Sequence, residues 1–137
     1  MLKKTITYED YDGNKRTEDS YFNLNESELT QLRLSRSGGI EKMLERIVQE
    51  QNAPEIIAMV KEIMLLAYGE KSDDGKVFLK SPEISHRFEC TEAFNEIFMD
   101  ICSSPEQASD FFRAILPAKL RSKIAEAEAA EAANAKD

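Results

Sequence analysis

The amino-acid sequence predicts a mainly α protein: an N-terminal β-hairpin followed by a compact bundle of about five or six short helices. Three observations predict it. Residues 2–9 divide with a period of two into a face that carries Leu2, Ile6 and Tyr8 and a polar face. Residues 54–68 repeat their apolar positions with the helical period instead. The signal Ser-Pro-Glu, a cap followed by proline at the first helical position, occurs twice, at Ser81-Pro82-Glu83 and Ser104-Pro105-Glu106. One domain is expected over residues 1–120, with the hairpin at 1–24, the helical bundle at 25–120, and an Ala/Glu-rich tail at 121–137 that is frayed or disordered.

In the first strand Leu2, Lys4, Ile6 and Tyr8 fall on one face and Lys3, Thr5, Thr7 and Glu9 on the other. Asp12-Gly13-Asn14 supplies the turn, because Gly and Asn tolerate the positive φ that tight hairpin turns demand. The return strand, Lys15 to Phe22, is more polar and ends on Tyr21 and Phe22. A two-stranded ribbon is marginal in water, so it must pack on the helices or on a partner's sheet edge.

Asn25 followed by Glu28 is a capping-box pattern that opens a helix carrying Leu29 and Leu32. Ser35 to Gly39 breaks it through its two successive glycines, and a second helix is expected from Ile40 to about Glu50. The stretch from Pro54 to Phe78 is the centre of the chain. On a helix Ile56, Ile57, Met59, Val60, Ile63, Met64, Leu66, Ala67 and Tyr68 sweep an apolar arc of roughly 200°, about twice what a surface helix needs. Leu65 falls on the otherwise polar side. The helix is expected to stop at Gly69, and 69–80 to be a loop with a short strand at Lys76 to Leu79. A short helix after Ser81 bends near Cys90-Thr91, where Thr91 caps the next, with Phe94, Ile97, Phe98 and Ile101 as its stripe. The last core helix carries Phe111, Phe112, Ile115 and Leu116 and ends at Pro117.

The totals exclude several functions. With 137 residues the chain can bury a core without metal or disulfide staples. A formal charge of −8 opposes nonspecific binding to nucleic acid, whose phosphates repel it, and favours a basic partner. No apolar run approaches the roughly 20 residues that span a bilayer. The N-terminus has the lysines of a signal peptide without an apolar stretch after them, so a cytosolic protein is expected. Cys90 and Cys102 are then reduced thiols.

No catalytic or metal constellation emerges. His86 and Cys90, spaced i, i+4, would share a helix face, but a structural zinc needs four ligands and Cys102 is the only other soft candidate. Asp73-Asp74-Gly75 lacks the alternating ligands and closing Glu of a calcium loop and reads as a turn. Gly38-Gly39 has no following Lys-Ser/Thr, so it is no phosphate loop. A single histidine would have to serve every general-base role. No enzyme, cofactor or metal is expected.

Several segments nevertheless carry an identity. KKTITYEDYDGNKRTEDSYFNL, SGGIEKMLERIV, AYGEKSDDGKVFLKS, SHRFECTEAFNEIFMDI and SDFFRAILPAKL resemble the tail assembly chaperones of long-tailed bacteriophages, encoded just before the tape measure protein in siphoviruses. The likeness extends to about Leu120, and the AYGEKSDDGK block and the hairpin are its most specific parts. It implies a non-enzymatic role in the host cytoplasm. Such proteins coat the long, apolar, helical tape measure protein until tail tube subunits polymerise around it, and they are absent from the mature virion. Many are made in two lengths by a frameshift, and the Glu126 to Asp137 tail sits where an extension would join.

The residues themselves are compatible with that role. An apolar helical client needs an exposed apolar groove on a charged exterior, and the flexible side chains of Met43, Met59, Met64 and Met99 suit tolerant binding or simply fill the core. Tyr8, Tyr11, Tyr21, Phe22 and Leu65 are the candidate partner contacts, as the apolar groups hardest to bury within the chain. The hairpin edge is a candidate for self-association. The alternative is a small acidic adaptor or inhibitor that binds a basic partner, with strongly salt-dependent affinity.

Overall fold

The computed structural model describes residues 1–35, 38, 39, 42, 43, 45, 46, 53–122, 126, 129 and 130. It is mainly α with a small sheet. Strands β1 (Leu2–Glu9) and β2 (Lys15–Phe22) form the hairpin, paired from Leu2 opposite Phe22 to Glu9 opposite Lys15. Gly13 takes the turn at φ +83°, and the Asp10 carboxylate accepts from the Asp12 and Asn14 amides at 2.9 Å each. The even-numbered residues of β1 are half-buried and the odd ones exposed, as the alternation predicts.

Helix α1 (Glu26–Ser35) opens on the expected capping box. Glu28 N–H donates to Asn25 Oδ1 at 2.8 Å, and Asn25 N–H to Glu28 Oε1 at 3.0 Å. The other carboxylate oxygen of Glu28 meets Lys80 Nζ at 2.6 Å, and Lys80 also donates to the Asn23 carbonyl at 2.6 Å. One lysine thus ties the end of the hairpin to the start of α1. Gly38 and Gly39 both take positive φ, the bend their pairing predicts. Most of the helix expected from Ile40 to Glu50 lies outside the described residues, as does most of the tail at 121–137. Met43, which is described, is buried.

Helix α2 (Ala53–Ala67) is the core helix, with Met59, Val60, Ile63, Met64 and Ala67 buried. Its arc is not covered all round, however, because Ile57 and Leu66 are exposed. The larger correction lies at the C-terminal end of this helix. Instead of a loop from Gly69, the chain passes directly into strand β3 (Tyr68–Lys71), which pairs antiparallel with β2. Strand β4 (Phe78–Leu79), inside the expected short strand, pairs with β3 and completes a four-stranded sheet in the order β1-β2-β3-β4. Four residues of mixed polarity carry no periodicity signal, so β3 exists because β2 offers its open edge. Gly69 serves this pairing through space rather than φ. A Cβ there would sit 2.8 Å from both the Leu79 carbonyl and the Phe78 ring.

Helices α3 (Pro82–Glu89), α4 (Glu92–Ile101) and α5 (Pro105–Ala114) start where their caps predict. Ser81, Thr91 and Ser104 side chains each accept from the amide three residues on, at 3.1 Å. Helix α5 ends at Ala114, earlier than the proline suggests. Ile115 and Leu116 are buried past its end, and the Ile115 carbonyl accepts from Leu24 N–H at 2.9 Å. Pro117 instead heads a further helical turn at 118–122.

Candidate interaction surface

The five candidate contacts separate into three groups. Phe22 is 0 % exposed and is removed from any surface. It sits at the end of β2 that faces the core, where it meets the rings of Phe111 at 5.3 Å and of Tyr68 and Phe88 at 5.8 Å each. The expectation that it is hard to bury fails because β3 and the helices close over that end of the hairpin. Leu65 is half-buried and packs against the core, and its carbonyl accepts from Ser85 Oγ at 3.0 Å. Its side of α2 is therefore covered by the start of α3.

The three tyrosines stay accessible to different degrees. Tyr8 is half-buried on the inner face of β1, and its partial burial together with a hydrogen bond to Glu18 pushes its hydroxyl pKa up. Tyr21 lies on the outer face of β2 with Lys71 Nζ 5.6 Å from its ring centroid. Tyr11, at the hairpin tip, is 75 % exposed, yet its hydroxyl donates to the Cys90 carbonyl at 3.1 Å. That bond anchors the tip to the α3–α4 corner while leaving the ring open.

Larger exposed apolar groups lie elsewhere. Leu34 on α1 is 85 % exposed and Met99 on α4 68 %, and Ile57, Leu66, Val77 and Leu79 are exposed as well. Leu34 had no signal in the sequence, because a single Leu late in a polar helix cannot be assigned to a face until its neighbours are placed. A small hollow of about 200 Å³ opens between α1 and the turn after Pro117, lined by Leu29, Thr30 and Leu120 among others. It is too small for more than a side chain or two.

The chemistry set aside in the sequence takes these places. His86 Nε2 is 3.8 Å from Cys90 Sγ, and its Nδ1 is 3.8 Å from Glu89 Oε1, so the shared helix face is real. Among the described residues no three His, Cys, Asp or Glu side chains converge as a metal set. Asp74 builds the β3–β4 turn: its Oδ1 accepts from Ser72 Oγ at 2.7 Å and from Lys76 N–H at 3.0 Å, with Gly75 at φ +75°. The Lys76 amide, then Ser72, hold its carboxyl below the usual carboxylate range. Cys90 is an exposed free thiol, and burial pushes the Cys102 thiol up.

The protein is a small sheet backed by short capped helices, with apolar side chains left outside. The sequence model of the phage tail assembly chaperone family matches residues 1–137, and the chain belongs to that family. It therefore acts in the host cell during phage assembly, in a family whose role is chaperoning rather than catalysis. No curated protein and no solved structure matches it. No helix among the described residues is long and apolar enough to cross a membrane.

Proposed function

We propose that the protein binds and solubilises the tape measure protein of a long-tailed phage in the host cytoplasm, helps recruit tail tube subunits to it, and leaves before the virion is complete. Membership of the tail assembly chaperone family over the whole chain carries this reading. The exposed Leu34, Ile57, Leu66 and Met99 support it, since an apolar helical client is held through apolar contacts on an otherwise charged exterior. Met99 adds the unbranched, adaptable side chain that tolerant client binding favours.

Co-expression with the tape measure protein tests the proposal. The client is expected to shift from the pellet to the soluble fraction and to copurify with the chaperone. Substituting Leu34, Leu66 and Met99 together by Ser should reduce that recovery severalfold while leaving the circular dichroism spectrum in place. Equal client solubility with and without the chaperone would refute the reading.

A further inference from the structure

Strand β1 is the outermost strand of the sheet, and among the described residues nothing pairs with its far edge. The hairpin bonding fixes which residues address that edge. Asp10 N–H donates to the Asn14 carbonyl at 2.9 Å, which makes that facing pair a bonded one. Bonded and non-bonded pairs alternate along an antiparallel ladder, so Tyr8, Ile6, Lys4 and Leu2 direct their backbone groups to β2. The alternation continues correctly on the other side of β2, where Asn23 N–H donates to the Ala67 carbonyl at 2.9 Å. Lys3, Thr5, Thr7 and Glu9 therefore turn their N–H and C=O groups outward, a template for another strand.

Helix α4 lies over this strand and runs antiparallel to it. Lys4 Nζ is 3.6 Å from Asp100 Oδ2 near one end, and Tyr11 reaches the Cys90 carbonyl near the other. Its Phe94 and Phe98 flank turns inward, with Phe94 5.5 Å from the ring of Phe88, which stacks on Tyr68 of β3 at 3.8 Å. At 100° per residue the opposite flank carries Glu92, Glu96 and Asp100, spaced i, i+4, i+8. Asp100 of this flank pairs with Lys4 of β1, so by helical spacing the flank runs along the outermost strand. Its members are about 6 Å apart along the helix axis, and alternate residues of a strand are about 6.6 Å apart. The two spacings match.

We propose that the β1 edge takes an extended, basic segment of a partner protein as an added strand, with Lys or Arg at alternate positions meeting Glu92, Glu96 and Asp100. Backbone bonds to Lys3, Thr5, Thr7 and Glu9 hold the segment, and the carboxylates select its charge and its alternation. A second copy of the chain fits this slot badly. Antiparallel β1–β1 pairing keeps both helices on one side of the widened sheet and sets two acidic flanks against each other. It also places two α4 helices over strands about 4.8 Å apart, where helix pairs need about 8–10 Å. This surface is separate from the apolar contacts of the tape measure reading and is tested without that client.

The probe is a labelled synthetic peptide alternating Lys with Thr, titrated into the full chain by fluorescence anisotropy. The controls are a peptide alternating Glu with Thr, a scrambled peptide with its lysines clustered, and an alternating-Lys peptide N-methylated at alternate residues to block its backbone bonds. Binding of the first peptide is expected to be roughly tenfold tighter than that of any control. It should weaken as salt rises and fall roughly tenfold in E92Q/E96Q/D100N. Equal binding of the scrambled or N-methylated peptide would show a diffuse acidic surface and overturn the proposal. Absence of binding would overturn it too, as would a disulfide-linked dimer formed efficiently by Thr5→Cys/Thr7→Cys, which would assign the edge to a second copy.

Discussion

Phe22 touches three rings from three different elements, Tyr68 of β3, Phe88 of α3 and Phe111 of α5, and is fully buried. Phe22→Ala should therefore cost about 3–5 kcal/mol of stability, measured by chemical denaturation. Tyr11→Phe removes only an exposed hydroxyl bond and should cost under about 1 kcal/mol. Leu65 lies between these two. Leu65→Ser should lower stability by about 1–2 kcal/mol, because its side chain is partly buried against the core. At Asp74 the folded-state pKa is depressed, so its contribution is complete above the ordinary Asp value, about 3.9, and is lost as pH falls through the folded value below it. The Lys76 amide resonance should move in that acid range in an NMR titration, and Asp74→Asn should abolish the movement while keeping the turn.

At the scale of elements the chain divides into those specified locally and those specified by neighbours. The starts of α1, α3, α4 and α5 each satisfy a first-turn amide with a side chain no more than three residues away, and each start was legible. Ser81→Ala should loosen α3 by about 1 kcal/mol for this reason alone. Strand β3 belongs to the second kind. It requires β2 on one side, β4 on the other, and no side chain at position 69. Gly69→Ala must push against the Leu79 backbone, so a loss of about 1–3 kcal/mol is expected. Amide exchange should quicken selectively in β3 and β4, and a variant that unfolded uniformly would contradict this account.

The whole molecule joins an open sheet edge, an acidic helix flank and scattered apolar side chains on a chain of formal charge −8. Apolar client binding and basic strand addition differ in their response to salt. Recovery of the tape measure protein should change little between about 0.05 and 0.5 M salt, whereas the alternating-Lys peptide should be released over the same range. By itself the sequence determined the hairpin and its register of faces, the starts of α1, α3, α4 and α5, the buried Met59, Val60, Ile63, Met64 and Ala67 of α2, and the family resemblance. All of these depend on patterns within a few residues or on contiguous blocks. Only the tertiary structure decided that Gly69 makes room for a strand and that Phe22 lies at a ring cluster rather than at a surface. Only it brought Asp100 of α4, on the flank of Glu92 and Glu96, beside Lys4 of the edge strand. The physical reason is common to these three: each rests on contacts between segments far apart in the chain, and local propensity carries no record of which segment arrives beside which.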